Sequence, residues 1–193
     1  MILAAVVPAA GLSRRMGREK ILLPFGHSTV LETVLETLAA VDITDVVTVL
    51  RPDLPQAVER ASRAGARVVF NARPEEEMLV SIGLGLQAIM PGVEGVFIWP
   101  ADHPAVSRDT IALLARRADP AHALVPCYRS RRGHPALIGR KLFPAIGRIP
   151  PRKGLRHLWR MKPEALLEIT VEDRGVIQNI DTPEDYRQVL QGS

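Results

Sequence analysis

Ile2-Leu3-Ala4-Ala5-Val6-Val7-Pro8-Ala9-Ala10-Gly11-Leu12-Ser13-Arg14-Arg15-Met16-Gly17-Arg18-Glu19-Lys20 stands near the start of the chain and changes character half-way along. Ile2 to Val7 is short, apolar and β-branched, and Pro8 and Gly11 bound it, which suits a buried strand better than a helix. The remainder is a long loop. Its small residues let backbone N–H groups approach a ligand, while Ser13, Arg14, Arg15 and Lys20 supply further donors, a combination that cradles phosphate oxygens. The loop is not a Walker A motif, lacking the Gly-Lys-Ser/Thr ending, and it is not a GxGxxG dinucleotide turn. An ordinary strand-to-helix loop with exposed basic residues is the competing reading. Met1 to Ser13 carries no basic residue ahead of its apolar run and is interrupted by Pro8, so it reads as a first strand and not as a signal peptide.

The pattern that follows alternates strands and helices. Thr29 and Glu32 have capping-box spacing, and Val30, Leu31, Val34, Leu35 and Leu38 repeat with helical period. Strands are expected at Asp45–Leu50, Arg67–Phe70, Gly95–Trp99 and His122–Pro126, with helices at Leu54–Ala64, Leu79–Met90 and Ser107–Arg117. Such alternation implies a mainly parallel sheet covered on both faces. Beyond Pro126 a strand is expected at Gly133–Ile138, a helix at Leu155–Met161, and two short strands at Ala165–Val171 and Gly175–Ile180. A last helix is capped by Thr182, with Pro183 at its first position and Asp185 in its first turn. Ligands of open α/β sheets bind outside the carboxyl ends of the strands, which places the loops at 8–20, 71–81 and 100–107 on one rim.

Composition narrows the function classes. The 193 residues carry 25 Lys+Arg against 21 Asp+Glu and are 47% hydrophobic, sufficient for the core of one domain. The longest charge-free stretch, Met78 to Val93, includes Ser, Gln, Pro and glycines and falls short of a membrane span. The single cysteine, Cys127, has no internal disulfide partner, which makes a reducing cytoplasm the expected location. The net charge of +4 is uneven: Pro120 to Pro163 holds eleven basic residues and no acidic one, leaving 14 basic against 21 acidic elsewhere. That segment points to a phosphorylated partner. Nucleic acid is not expected, because the segment offers only Tyr128, Phe143 and Trp159 for base stacking and has no recognised nucleic-acid motif.

The string Ala9-Ala10-Gly11-x-Ser13-x-Arg15-Met16-Gly17-x-x-Lys20 resembles the signature of the MobA-like nucleotidyltransferases, most closely the molybdopterin cytidylyltransferase (MocA-like) branch. Pro100-Ala101-Asp102-His103-Pro104, Gly133-His134-Pro135 and Asn179-Ile180-Asp181-Thr182-Pro183-Glu184-Asp185 agree in order and spacing. The resemblance implies a three-layer, Rossmann-like α/β fold in one domain, 1–193, with a nucleotide-binding half at 1–126, an acceptor-binding part at 127–180 and a C-terminal helix at 181–193. It further implies transfer of a nucleotidyl group from CTP or another NTP to a small phosphorylated acceptor such as molybdopterin, with magnesium, or manganese in its place. Onward transfer to a molybdoenzyme or its chaperone would follow.

By the same resemblance Arg15, Lys20 and Asp102 are catalytic, and Ala9, Ala10, Gly11, Ser13, Arg14, Arg15, Lys20 and Ser81 bind nucleotide. Asp102 and Asp181 hold the metal, their hard oxygens completing a normal magnesium shell with phosphates and waters. Arg132 and His134 belong to the acceptor side. Guanylyltransferases carry Ala-Gly-Gly where this chain has Ala9-Ala10-Gly11, and one methyl is worth about 1–3 kcal/mol of discrimination. Pro8 and Val80 depart from the family pattern, and Ser81 equally suits a helix-packing role. His103 and Cys127 have no sequence partner that supports a metal or nucleophilic role and are read as structural. Other acceptors on the same scaffold, sugar, polyol or lactate phosphates, and a non-catalytic nucleotide-binding module are the alternatives.

Overall fold

The computed structural model describes residues 1–192; Ser193, the end of the expected segment 181–193, lies outside the described residues. The strands are β1 (Leu3–Pro8), β2 (Pro24–Phe25), β3 (Ser28–Thr29), β4 (Asp45–Leu50), β5 (Arg67–Phe70), β6 (Gly95–Ile98), β7 (Ala123–Tyr128), β8 (Arg131–Arg132), β9 (Ala136–Gly139) and β10 (Leu166–Thr170). The helices are α1 (Val30–Ala39), α2 (Pro55–Arg63), α3 (Met78–Ala88), α4 (Arg108–Arg116), α5 (Phe143–Ile146), α6 (Leu158–Met161) and α7 (Pro183–Gln191).

Seven strands line up in the order β10-β7-β9-β6-β1-β4-β5, with β8 paired to β7 beside them. β1 runs parallel to both β4 and β6, and β9 is the antiparallel strand between β6 and β7. The chain leaves β1 for β4 and later returns to the other side of β1 as β6, so the strand order reverses beside the carboxyl end of β1. A crevice at such a switch point is where open α/β sheets bind ligands.

Two cores sandwich the sheet. Ala5 and Val7 of β1 join Leu31, Val34 and Leu38 of α1 and Ile111 and Leu114 of α4 on one face. Ala4 and Val6 face the other way, with Ile82 of α3, Ile146 of α5 and Leu158 of α6. Burial on both faces explains the unbroken apolar run in β1, and each fully buried aliphatic side chain contributes about 1.5–3 kcal/mol. Of the two glycines of α3, which lower its intrinsic propensity, Gly85 has a packing reason. A Cβ on Gly85 would lie 2.3 Å from Val6 Cγ1, so α3 approaches β1 more closely than any side chain permits.

The structure corrects the expectations beyond Pro126. The 155–161 segment divides into a tight turn at Leu155–His157 followed by α6. β9 begins at Ala136 and not at Gly133, because Pro135 has no N–H to give a ladder. Gly175–Ile180 is not a strand. The Asp173 carboxylate accepts from Gly175 N at 2.8 Å, folding Arg174–Ile177 into a 3-10 turn. Among the described residues no helix is long and apolar enough to cross a membrane.

Candidate active site

The loop after β1 is held from beneath by a residue that sequence reasoning missed. Arg51 follows the carboxyl end of β4 and is 8% exposed. Its Nη1 donates to Gly11 O at 2.8 Å, its Nη2 meets Glu19 Oε2 at 3.0 Å, and its Nε meets Asp53 Oδ1 at 3.0 Å. Glu19 in turn accepts from Ser13 Oγ at 2.8 Å, and Ser13 Oγ accepts from Lys20 N at 3.3 Å. A charged residue directly after the carboxyl end of a parallel strand is by that fact on the ligand rim, which was the available signal.

Lys20 projects from this loop between two carboxylates supplied by distant segments. Its Nζ lies 2.6 Å from Asp102 Oδ2 and 2.9 Å from Asp181 Oδ1. Asp102 sits in the turn after β6, a turn tied to β1 by Ala101 N donating to Pro8 O at 3.1 Å. Asp181 precedes α7, and the Thr182–Asp185 capping box satisfies that helix without it. The loop preceding Asp181 is joined to Asp102, because Ile180 N donates to Asp102 O at 2.9 Å. Asp181 Oδ2 further receives Arg15 Nη2 at 2.9 Å and Asn179 Nδ2 at 2.8 Å.

Burial pushes the Asp102 carboxyl up, but His103 and the Lys20 ammonium outweigh it and hold Asp102 well below the usual carboxylate range. Burial likewise works against the charge on Lys20, yet Asp102 and Asp181 together raise its pKa above the ordinary lysine value. Lys20 and Asp102 are therefore both charged at neutral pH. His103, expected to be structural, is in direct contact with Asp102: its Nδ1 lies 2.8 Å from Asp102 Oδ1, its backbone O accepts from Trp99 Nε1 at 3.1 Å, and its ring meets that of His134 edge to face at 4.6 Å. One Asp102 oxygen is thus held by His103 and the other is turned to Lys20.

A cavity of ≈ 300 Å³ opens over the cluster, walled by Gly11 to Arg15, Lys20, Glu75 and Asp181. Of the sequence candidates, Gly11, Ser13, Arg14, Arg15, Lys20 and Asp181 line it. Ala9 and Ala10 lie beneath the loop, 5% and 4% exposed. Ser81 is buried under the 71–77 segment, where its Oγ accepts from Asn71 Nδ2 at 3.0 Å, the packing role. Arg132 is engaged at the sheet edge with Glu168 Oε1, 2.5 Å from its Nη2. His134 contacts His103, and burial lowers its pKa to about 4. Cys127 is buried with its thiol on Glu168 Oε2 at 3.3 Å, and burial together with that carboxylate raises its pKa to about 11, an inert state.

Residues 5–168 match the family model described as the MobA-like NTP transferase domain. The chain belongs to this family. Three curated relatives show its breadth around this sequence. The molybdenum cofactor cytidylyltransferase of Escherichia coli is 28% identical over 94% of this chain and 92% of its own. The nicotine blue oxidoreductase of Paenarthrobacter nicotinovorans is 29% identical over 96% and 95%. A probable molybdenum cofactor guanylyltransferase of Methanosarcina acetivorans is 29% identical over 97% and 89%. Among solved structures, Rv0371c of Mycobacterium tuberculosis in complex with manganese superposes with a TM-score of 0.83 at 24% identity, covering 100% of both chains. This MobA-like protein is thus a nucleotidyltransferase by family and fold, with a mainly parallel sheet flanked by helices.

Proposed function

We propose that this MobA-like protein transfers CMP from CTP to a small phosphorylated acceptor, with molybdopterin the best-supported acceptor, and releases pyrophosphate. The observation that carries the reading is the convergence of Lys20 on Asp102 and Asp181 beneath a loop of backbone amides and arginines. CTP is favoured by the Ala9-Ala10-Gly11 form of the loop and by the E. coli relative, and GTP is the alternative that the guanylyltransferase relative keeps in view.

The residues fit a divalent cation. Asp102 Oδ2 and Asp181 Oδ1 already converge on one positive centre, the Lys20 ammonium, and hard carboxylate oxygens suit magnesium or manganese. When bound, the ion would neutralise phosphate charge and favour departure of pyrophosphate. In the cluster alone, Arg15 and Lys20 balance Asp102 and Asp181, so an entering polyphosphate needs such added positive charge.

The protein's own part is placement and charge. The loop, fixed by Arg51 and Glu19, offers its amides to the phosphates. Arg14, Arg15 and Lys20 take the negative charge that builds up on the leaving β- and γ-phosphates. An ionised acceptor phosphate oxygen bonds to the α-phosphorus in line while the bond to the β-phosphate oxygen breaks. The nucleophile is already deprotonated, so no general base is needed. Pyrophosphate release, followed with each of the four NTPs and a panel of molybdopterin, sugar, polyol and lactate phosphates, tests the reading. Turnover with CTP and molybdopterin is expected; nucleotide binding without turnover for any acceptor would instead fit a binding module.

A further inference from the structure

Each carboxylate oxygen of the Asp102–Asp181 pair has a partner. Asp102 Oδ1 is taken by His103 Nδ1, and Asp181 Oδ2 by Arg15 Nη2 and Asn179 Nδ2. The other two, Asp102 Oδ2 and Asp181 Oδ1, converge on a single atom, Lys20 Nζ, at 2.6 and 2.9 Å. They are also the two oxygens that converge for a divalent cation. An ammonium has three donors and no lone pair, so Lys20 cannot join the coordination of such a cation, and like charge opposes holding both there.

Exchanging one for the other requires only the end of the Lys20 side chain to move. Its backbone is anchored, the N–H donating to Ser13 Oγ at 3.3 Å and the O accepting from Leu23 N at 3.2 Å. Ser13 is held in turn by Glu19, and Glu19 by Arg51. Beyond that anchor the four-carbon stem is flexible, and Lys20 lines the same cavity as Gly11, Ser13, Arg14 and Arg15. A triphosphate seated on that loop offers the ammonium new anionic oxygens in place of the two carboxylates. The side chains of Lys20 and Asp102 are each only 14% exposed, so a departing ammonium has to be replaced by another cation and not by bulk water. His103, Arg15 and Asn179 keep both carboxylates in place during the exchange.

We propose that Lys20 is a place-holding cation: it occupies the point where Asp102 and Asp181 converge and yields it to a divalent cation only when nucleotide phosphates draw its side chain into the cavity. The proposal rests on the transferase reading above, which gives those carboxylates to the metal. It makes metal affinity low in the free protein and couples it to nucleotide, and by linkage the nucleotide gains from the metal by the same factor.

Manganese binding followed by electron paramagnetic resonance, with no acceptor present, tests this without turnover. In the absence of nucleotide K20M is expected to bind manganese about tenfold more tightly than the wild type, because the competent arrangement no longer has to be freed. K20R, which keeps a cation, should stay within about threefold of the wild type, as should R15Q, which removes an exposed charge but leaves Lys20 between the carboxylates. Equal affinity in K20M and the wild type, or an equal gain in R15Q, overturns the exchange. In the wild type itself the Lys20 Nζ NMR signal should hold its position on adding magnesium alone, at concentrations that saturate the CTP complex, and shift when CTP follows. A full shift with magnesium alone, or none with CTP, overturns it without recourse to a variant. If neither protein takes up manganese with or without CTP, the metal assignment of the transferase reading fails and the exchange with it. If the wild type takes it up with CTP while K20M gains nothing without nucleotide, the exchange alone is refuted.

Discussion

Lys20→Met removes the cation shared by two carboxylates, and its consequence follows from the geometry. At 2.6 and 2.9 Å, with an effective dielectric constant of about 20, each charge pair represents about 6 kcal/mol of gross attraction. Desolvation offsets most of this; the side chains of Lys20 and Asp102 are each only 14% exposed and that of Asp181 25%. Removing one partner from such a cluster costs about 3–5 kcal/mol because the remaining charges are left uncompensated. Asp102 keeps His103, and Asp181 keeps Arg15 and Asn179, so the lower end, about 3 kcal/mol, applies. For a chain of this size that corresponds to a fall in Tm of about 6–12 °C. The two carboxylates then become a vacant cation site. Manganese at a hundredfold excess over its Kd should restore about 2.7 kcal/mol. Scanning calorimetry of both proteins in EDTA and in manganese measures this. A variant Tm within about 2 °C of the wild type in EDTA, or no manganese-dependent recovery, would refute the shared-cation picture.

His103→Phe keeps a ring but loses the donor to Asp102, so the Asp102 carboxylate is free to turn; nucleotide-dependent manganese affinity, read by electron paramagnetic resonance, should fall about tenfold, with His103→Asn retaining most of it. Equal affinity in all three proteins would remove His103 from the site. His134 is held neutral by burial, its pKa lowered to about 4 from 6.5. Its contribution to stability is complete above pH 6.5 and declines as the pH falls towards 4, because the unfolded chain takes up the proton first. The loss is at most about 3 kcal/mol. Urea denaturation at pH 7 and pH 5 should show a smaller difference for His134→Asn than for the wild type, and a ring that titrates by NMR near 6.5 would contradict this.

The fold was legible because its signals are local: the apolar run of β1, the capping boxes at Thr29 and Thr182, and the alternation that demands a parallel sheet. The switch-point rule then placed the loops bearing Lys20 and Asp102 together before any coordinates. Asp181 was legible through its position one residue ahead of the Thr182 cap. Side-chain direction across the rim was not. Arg51 acts by reaching Gly11, forty residues away, and His103 by turning back onto its own neighbour. Part of the basic segment lies away from the cavity, since closeness in sequence is not closeness on a surface. Arg140 donates to Val93 O and Lys141 N to Pro120 O, both near strand amino ends and so at the pole opposite the cavity.

Transfer of label from α-phosphate-labelled CTP into molybdopterin, with magnesium present, tests the central claim most directly. The account predicts one labelled CMP in the acceptor per pyrophosphate released, loss of transfer in EDTA, and loss in Asp102→Ala with the fold retained. Label that stays in free nucleotide with every NTP, or undiminished transfer by Asp102→Ala, would contradict it.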